Sequence, residues 1–270
     1  MMSERMQTGH RRVTTQVVEA PPPIRPLLHT VGRLADEQGL AAYAIGGCVR
    51  DWVLGLARIT DLDVAVVGDG IAFATVTARA LEAALTTHEQ FGTATLERSG
   101  DAQRAGRRRR DAVEPVRIDV AGCRKEVYVK PAAYPKVTAG GIEDDLVRRD
   151  FTINAMAMAI NAKTFGVLVD PFEGFQDLRR HRLRVLHPKS FLDDPSRILR
   201  AVRFVQRYHL TVESKTAHYL HQALAAGMLA RLNRGRLRKE LDQMANEPDP
   251  LACLARLGRW LNERPKVKVP

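Results

Sequence analysis

The segment that most constrains the fold contains an apolar run, a glycine pair and two alternating carboxylates, in that order. Residues 41–45 are apolar, Gly46 and Gly47 follow them, and Asp61 and Asp63 lie one residue apart. This order predicts strand, turn, helix and strand, because glycine permits a tight turn and alternate side chains of a strand share one face. Asp61 and Asp63 would then lie on one face, roughly 7 Å apart along the strand.

The same segment contains both halves of a site for phosphate and metal. Carboxylate pairs suit Mg²⁺, which is usually held by one or two carboxylates plus the phosphates of its substrate. Glycines before a helix let backbone N–H groups approach a phosphate, and Arg50 adds a positive charge. Alone, each motif is more often a strand end or an ordinary turn. Their close spacing favours phosphoryl or nucleotidyl transfer.

The charge of the chain favours a polyanionic partner. Lys and Arg number 42 against 31 Asp and Glu, a net charge of +11, which most simply indicates nucleic acid. An anionic membrane surface is the rival, but no run approaches 18 apolar residues, so no spanning helix is expected. Cys48, Cys123 and Cys253 lie far apart, which indicates reduced thiols and a cytoplasmic location.

Three regions are predicted along the chain. Residues 1–24, which end in three prolines, are predicted to be a flexible leader. Residues 25–186 alternate strand-like and helix-like segments and are predicted to form an α+β head domain. From residue 187 to 270 the pattern is helical, with arginine-rich faces, and predicts a helical domain.

Local periodicity predicts the first elements of the head. Apolar residues at helical spacing indicate helices, and short apolar runs rich in β-branched residues indicate strands. The predicted elements are helices over 27–40 and 71–85 and strands over 41–45, 62–67, 93–96 and 116–120.

A basic run separates the last two of these strands. Residues 100–111 include Arg107, Arg108, Arg109 and Arg110. Like charges in a row favour a solvated hairpin loop, whereas a contact with an RNA backbone is the sharper hypothesis. The sequence leaves both open.

A second dense motif lies in residues 145–156. One interpretation is that Asp150 caps a helix and a buried apolar segment follows, with Arg148 and Arg149 as surface charge. The other is that Arg149, Asp150 and Asn154 hydrogen-bond ribose hydroxyls and phosphates, because phosphoryl transfer depends on positioning.

A third motif is predicted to begin a helix, with Asp194 at the N-cap and Pro195 at the first helical position. Arg197, Arg200 and Arg203 recur every three residues on one side. These arginines are either solvated or face a triphosphate or a base edge, and the spacing does not decide between the two.

From about Tyr43 to about Leu241, the chain resembles the class II tRNA nucleotidyltransferase and bacterial poly(A) polymerase family. Five motifs carry the resemblance and occur in this order: Gly46-Gly47-x-Val49-Arg50-Asp51; Asp61-x-Asp63; Arg148-Arg149-Asp150-Phe151-Thr152-Ile153-Asn154-Ala155-Met156; Asp170-Pro171-Phe172-x-Gly174; and Asp194-x-x-Arg197-x-x-Arg200-x-x-Arg203-Phe204.

The resemblance implies a polymerase-β-like nucleotidyltransferase head, with a mixed sheet and flanking helices, followed by an all-helical neck. Asp61 and Asp63 would bind two Mg²⁺ ions, and Asp119 would help to activate the attacking hydroxyl. The implied nucleotide contacts are Gly46, Gly47, Arg50, Arg149, Asp150, Asn154, Asp194, Arg197, Arg200 and Arg203.

The implied activity is addition of C, A or both to the 3′ end of tRNA from CTP and ATP. Asp194 and Arg197 would select the base, because an Asp side chain accepts hydrogen bonds and an Arg side chain donates them. This pair matches the hydrogen-bonding edges of C and A and does not match those of U and G. A poly(A) polymerase acting on general RNA and a catalytically idle RNA-binding module are the alternatives. RNA and nucleoside triphosphates are the expected partners, with no membrane, and the oligomeric state is not predicted.

Overall fold

The structure is a computed structural model that describes residues 16–56, 61–98, 116–133 and 135–263. In chain order the strands are β1 (Ala42–Ile45), β2 (Asp61–Val66), β3 (Ala84–His88), β4 (Thr93–Arg98), β5 (Val116–Gly122), β6 (Arg124–Val127), β7 (Lys136–Ala139), β8 (Ala157–Ala159), β9 (Leu168–Val169), β10 (Arg182–Leu183) and β11 (Thr211–Val212).

Helices flank the strands and dominate the second half of the chain. None of the helices in the described ranges is long and apolar enough to cross a bilayer. They are α1 (Arg25–Glu37), α2 (Gly47–Val53), α3 (Gly70–Leu81), α4 (Ile142–Val147), α5 (Gly174–Arg179), α6 (Ser190–Asp193), α7 (Ser196–Arg207), α8 (Ser214–Ala225), α9 (Arg234–Ala245) and α10 (Pro250–Asn262).

One seven-stranded sheet organises the head, in the order β3-β4-β5-β2-β1-β8-β9. The sheet is mixed, as expected: β2 and β5 pair in parallel, and the other neighbouring strands pair antiparallel. The register places Asp63 opposite Asp119 and Asp61 opposite Arg117. The strands predicted from apolar runs therefore meet at the centre of the sheet with their acidic residues side by side.

The predicted helix over 71–85 ends too late. Asp69 caps the start of α3 by accepting hydrogen bonds from the backbone N–H groups of Ile71 and Ala72. Glu82 then adopts a left-handed conformation with φ of 50°, which ends the helix. The next residues form β3, which pairs with β4, so cross-strand pairing overrides the helical pattern.

The flexible-leader prediction is wrong for residues 16–24. Val17 forms a β-bridge with Val167, and Ile24 is only 2% exposed within the head core. Apolar side chains in this stretch are buried against the head, and that burial holds the backbone there. Residues 1–15 lie outside the described part of the chain.

The head and the helices after residue 186 share one hydrophobic core. The Phe151 ring meets the Phe204 ring edge-on at 5.7 Å between centroids and lies 6.4 Å from that of Phe191. In the described residues after 186, β11 is an exception to the all-helical prediction, because it pairs in parallel with β10. The domain boundary near 186 stays a prediction.

Candidate active site

The carboxylates of β2 alternate with buried apolar residues. Leu62 is 2% exposed, whereas Asp61 is exposed and Asp63 is partly buried. The side-chain alternation of a strand explains the pattern, since Asp61 and Asp63 share the face opposite Leu62. Asp119 on β5 lies beside Asp63 in the parallel register. The three acidic residues proposed for chemistry therefore occupy two adjacent strands.

Neighbouring side chains hold Asp119 in place. Its Oδ1 accepts a hydrogen bond from Thr95 Oγ1 at 2.6 Å. Arg117 donates to the same oxygen from Nε at 3.3 Å and from Nη2 at 3.2 Å. Charge-assisted bonds of this kind fix the carboxylate at the edge of the site.

Asp63 is in an electrostatically unfavourable position for an ionised carboxylate. Burial raises the pKa of Asp63, and the neighbouring charges of Asp119 and Asp61 raise it further, while Arg149 opposes them. The raised pKa means that the surroundings do not fully compensate this negative charge. A bound cation would supply the missing compensation.

The donor set fits Mg²⁺ bound together with a phosphate substrate. Within the described ranges, no group of three His, Cys, Asp or Glu side chains is arranged to hold a metal alone. Mg²⁺, however, usually takes only one or two carboxylates from a protein and completes its shell with substrate phosphates and water. Asp61 and Asp63 provide that number of carboxylates.

The glycine turn requires glycine at its first position. Gly46 has φ of 74°, in the left-handed region, and its N–H donates to the Met156 carbonyl at 3.0 Å. A Cβ on Gly46 would lie 2.6 Å from Nη1 of Arg149. The missing side chain therefore leaves room for a guanidinium directly against the turn. Gly47 begins α2 and lines the cleft described below.

A buried carboxylate fixes that guanidinium. Asp145 is fully buried and accepts from Arg149 Nη2 at 3.0 Å and from Arg148 Nη2 at 2.7 Å. Burial alone would raise the pKa of Asp145, but Arg149 and Arg148 outweigh it and the pKa lies below its usual value. The Arg149 Nε atom is buried without a hydrogen-bond partner. Arg149 is thus held next to the turn by one of its nitrogens.

A polar chain runs from α2 to α7. Arg50 Nη1 donates to Asn154 Oδ1 at 2.5 Å, and Asn154 Nδ2 donates to Asp150 Oδ1 at 3.0 Å. Arg200 Nε donates to Asp150 Oδ2 at 2.7 Å. Burial works against the ionised Asp150, but Arg200 and Asn154 dominate and lower its pKa to about 2. These four predicted nucleotide contacts are therefore joined to one another.

Arg50 is also held from the other side by aromatic rings. Its guanidinium carbon lies 4.5 Å from the centroid of Tyr208 and 5.5 Å from that of Phe204. The Tyr208 hydroxyl donates to Asp51 at 3.1 Å, and Asp51 accepts from Arg50. Cation–π contacts and ion pairs together keep Arg50 buried at the junction of head and neck.

Asp194 and Arg197 lie in the wall of the same cleft. The helix begins one residue later than predicted, at Ser196, whose N–H donates to Asp194 at 3.0 Å. Arg197 donates to Ser190 Oγ at 2.6 Å and to the Arg148 carbonyl at 2.7 Å. Asp194 therefore combines a capping bond with a place in the cleft wall.

The interpretation of the arginine row as solvated is wrong for Arg203, which is 7% exposed. Its Nε donates to Glu247 at 2.8 Å, and its Nη1 donates to Glu240 at 3.0 Å and to Gln243. These bonds tie α7 to α9 and to the turn that follows it. Direct support of the nucleotide by Arg203 stays a prediction, although the residue lines the cleft.

Most of the predicted site residues line one cleft of about 1020 Å³, at the upper end of ordinary ligand pockets. Nine basic and five acidic side chains line it, so it favours anions. The predicted residues in its lining are Gly47, Arg50, Asp63, Arg149, Asp150, Asn154, Asp194, Arg197, Arg200 and Arg203.

A second cavity of about 380 Å³ adjoins the cleft. It contains Asp119 and shares Asp63, Arg124, Arg148 and Arg149 with the cleft. Gly46 and Asp61 are absent from both linings. Asp63 therefore lies between two spaces, one beside the glycine turn and one beside β5.

The sequence analysis did not identify several of the residues that line the cleft. The ribbon of β6 and β7 contributes Arg124, Glu126 and Val137, and the turn after β3 contributes Phe91. No motif identified them. Asp145 is different, because its helical spacing of three and four residues from Arg148 and Arg149 is a detectable ion-pair signal.

The remaining site prediction concerns the basic run. Arg107, Arg108, Arg109 and Arg110 lie outside the described residues. Their contact with RNA stays a prediction.

Comparison with known proteins identifies the family to which the chain belongs. Residues 42–184 match the model of the poly A polymerase head domain. The chain is 38% identical over 240 residues to the A-adding tRNA nucleotidyltransferase of Geobacter sulfurreducens, covering 88% of this chain and 25% of that protein. It is 37% identical to the A-adding enzyme of Halalkalibacterium halodurans and 33% identical to the CC-adding enzyme of that organism. Those two alignments cover 86% and 82% of this chain, and 51% and 48% of the relatives.

Solved structures agree with the sequence comparison. A CCA-adding enzyme in an apo form superposes with a TM-score of 0.79 at 38% identity, covering 91% of this chain and 56% of that one. A CCA-adding enzyme in complex with ATP gives a TM-score of 0.76 at 37% identity, covering 91% and 55%. The polymerase-β-like head prediction is confirmed. The chain spans between a quarter and about half of the length of the relatives that it matches.

Proposed function

This chain belongs to the poly A polymerase head-domain family, and we propose that it is a template-independent nucleotidyltransferase that adds C, A or both to the 3′ end of tRNA. ATP and CTP are the proposed substrates. Complexes of similar enzymes with ATP and with CTP support this choice. A cytoplasmic location is part of the proposal, supported by three buried free cysteines.

One observation carries the proposal. Asp63 lies in the lining of the same cleft as Gly47, Arg149 and Arg50, so a carboxylate and a set of phosphate-binding groups face one space. A protein that only bound RNA would have no need for this partly buried, uncompensated carboxylate. Nucleotidyl transfer needs both parts, because charge stabilisation and positioning supply most of its catalysis.

Asp61 and Asp63 would hold two Mg²⁺ ions. When bound, such ions lower the pKa of an attacking hydroxyl and neutralise a leaving pyrophosphate. The side chains of the protein perform the remaining work of binding and orientation.

The arginines of the cleft would bind the triphosphate. Arg149 lies directly against the glycine turn and is held there by Asp145, so its charge needs little reorganisation when a phosphate arrives. Arg50 is fixed by Asn154 and by aromatic rings. Asp119, which is held by Thr95 and lies beside Asp63, would orient the attacking 3′-hydroxyl.

Asp194 and Arg197 would select the base. Both belong to the cleft lining, and both are anchored by bonds to neighbouring groups, which keeps the pairing edge rigid. An acceptor beside a donor matches the amino group and ring nitrogen of C and A. U and G would leave buried polar groups unmatched, which a closed site penalises strongly.

Among relatives that add only part of CCA, the similarities favour the A-adding enzymes, whereas a CCA-adding enzyme of solved structure is also 38% identical to this chain. The A-adding relatives are 37–40% identical to this chain, and the CC-adding relatives are 33–34% identical. We therefore propose that the acceptor is a tRNA that already ends in CC.

The test uses three tRNA substrates: one lacking the terminal CCA, one ending in C and one ending in CC. Each is incubated with the full chain and with ATP, CTP, both or neither, and the products are resolved to single nucleotides. A-addition predicts one A on the CC-ending tRNA and no extension of the others. Extension of the CCA-lacking tRNA with both nucleotides would instead identify complete CCA addition.

The same assay separates the alternatives. Long A tails on tRNA and on an unrelated RNA would identify a poly(A) polymerase. RNA binding without extension at any nucleotide and Mg²⁺ concentration would identify a binding module and refute the proposal.

A further inference from the structure

The hairpin of β3 and β4 exposes an aromatic ring at the cleft. The two strands are joined by a short 3₁₀ turn, Glu89–Phe91, and by Gly92, whose φ of 61° closes the turn. Phe91 is 56% exposed and lines the cleft. All eight phenylalanines and both tryptophans lie in the described ranges, and Phe91 is the only one in the exposed class.

Side-chain hydrogen bonds hold the tip of this hairpin in place. Arg124 Nη1 donates to the Phe91 carbonyl at 3.0 Å, and Arg124 Nε donates to Glu126 at 3.2 Å. Glu126 also accepts from Arg148, which is bound to the buried Asp145. The exposed ring therefore rests on a fixed network. Binding to it costs less conformational entropy than binding to a loose loop.

The order of strands defines two directions from which a ligand could reach Asp63 and Asp119. Across the sheet the order is β3, β4, β5, β2 and β1, so Asp119 and Asp63 lie between the Phe91 hairpin and the glycine turn that follows β1. Gly47 and Arg50 are on the β1 side, Arg149 lines both spaces, and Phe91 lines the larger cleft. The smaller cavity on the β4 side includes His88 and Thr93 from the same hairpin.

The charges on the β4 side suit a nucleic acid backbone. Four arginines and two aspartates line the smaller cavity, and three of these arginines, Arg124, Arg148 and Arg149, line both spaces. Arg117 is half exposed there. A basic groove with an exposed aromatic ring is the usual arrangement for single-stranded RNA, because the charge tracks phosphates and the ring stacks on a base.

We propose that the β3–β4 hairpin binds the single-stranded 3′ end of the acceptor RNA, with Phe91 stacked on a base and with Arg124 and Arg117 next to its phosphates. This inference rests on the proposed function and adds the acceptor contact to it. The RNA then reaches Asp119 from the β4 side while the nucleotide enters from the β1 side.

The test compares two RNA minihelices that differ only in a single-stranded 3′ CC extension. Dissociation constants are measured without nucleotide for the unchanged chain, Phe91→Ala and Phe91→Trp. Leu251→Ala is the control, because Leu251 is also an exposed apolar residue, at 77%, and is absent from both cavity linings.

Phe91→Ala should weaken binding of the extended minihelix by about 5- to 100-fold and leave the blunt minihelix unchanged. Phe91→Trp should restore binding, and Leu251→Ala should change nothing. In turnover assays, Phe91→Ala should raise the KM for RNA by a similar factor without changing the KM for ATP.

Equal losses for both minihelices, an unchanged dissociation constant or a raised KM for ATP alone would overturn the inference. The binding measurements distinguish failure of this inference from failure of the proposed function. If the chain extends no tRNA, the extension-dependent loss in Phe91→Ala still decides whether the hairpin binds a single-stranded end.

Discussion

Two clusters of charge line the cleft and differ in how their carboxylates are compensated. At the edge formed by β2 and β5, burial and neighbouring aspartates raise the pKa of Asp63. At the junction of head and neck, Arg200 and Asn154 overcome burial and lower the pKa of Asp150 to about 2. The same residue type is thus shifted in opposite directions by its partners.

The difference indicates which charges serve the fold and which serve a ligand. Asp150 is balanced inside the protein, through Arg200 on α7. Asp63 lacks such balance and lies between two open spaces. Substitution at the junction should therefore reduce stability first, whereas substitution at the β2 edge should reduce activity first.

The largest expected effect is on turnover. Asp63→Asn should lower kcat/KM for nucleotide addition by at least about 10³-fold, because it removes charge that would bind the metal ions. The free energy of unfolding should not fall, since the neutral side chain relieves an unfavourable buried charge.

Single-turnover assays and urea unfolding measure both quantities. Asp242→Asn is the matched control, because the Asp242 side chain is 68% exposed and forms a surface pair with Arg238. Near-normal turnover of Asp63→Asn would contradict the assignment of the Asp63 charge to ligand binding and of the Asp150 charge to stability.

At the junction the expected effect is on stability. Asp150→Ala should lower the free energy of unfolding by about 1–3 kcal/mol, because it leaves Arg200, whose side chain is 33% exposed, and the buried Asn154 amide without their carboxylate partner. Urea denaturation measures the change. Adding Arg200→Met to Asp150→Ala should recover part of the loss, since the unpaired charge is then removed. A loss below about 1 kcal/mol would show that the pair is not structurally important.

The pH dependence of stability sharpens the same comparison. Asp150 has its pKa lowered from 3.8 to about 2 in the folded protein, so its contribution is complete above pH 3.8 and is lost as the pH falls towards 2. Over that window the pair should lose roughly 2 kcal/mol. Urea midpoints between pH 5 and pH 2 should therefore fall less steeply for Asp150→Asn than for the unchanged chain. Parallel curves would contradict the assignment.

The smallest effect is expected at Asp194, which has both a structural and a proposed recognition role. Asp194→Asn keeps an oxygen that can accept from Ser196, so the melting temperature should change little. The new amide donor can face the carbonyl of U or G, so incorporation of UTP or GTP relative to ATP should rise at least about tenfold. Full selectivity combined with lower stability would identify Asp194 as a cap only.

The sequence predicted which strand edge carries the paired carboxylates, because their placement on one face depends on local geometry. A strand places Asp61 and Asp63 on one face whatever surrounds it, and a turn with positive φ needs Gly46. Strand β5 was found from its own apolar run, although its register with β2 was not. The end of α3 and the packing of residues 16–24 were missed, because burial and pairing with distant strands decide them.

The sequence by itself determined the order of motifs, the alternation of acidic and apolar residues on β2 and the positive charge that favours nucleic acid. Only the tertiary structure decided how the arginines are used. Arg203 has its partners 37 to 44 residues away, and Arg50 meets Asn154 across 104 residues. The Arg203 pairs form because α7 packs against α9, and the Arg50 pair forms because α2 packs against the turn at residues 152–154. Helical periodicity describes one helix at a time and contains no information about which partner its charged side will meet.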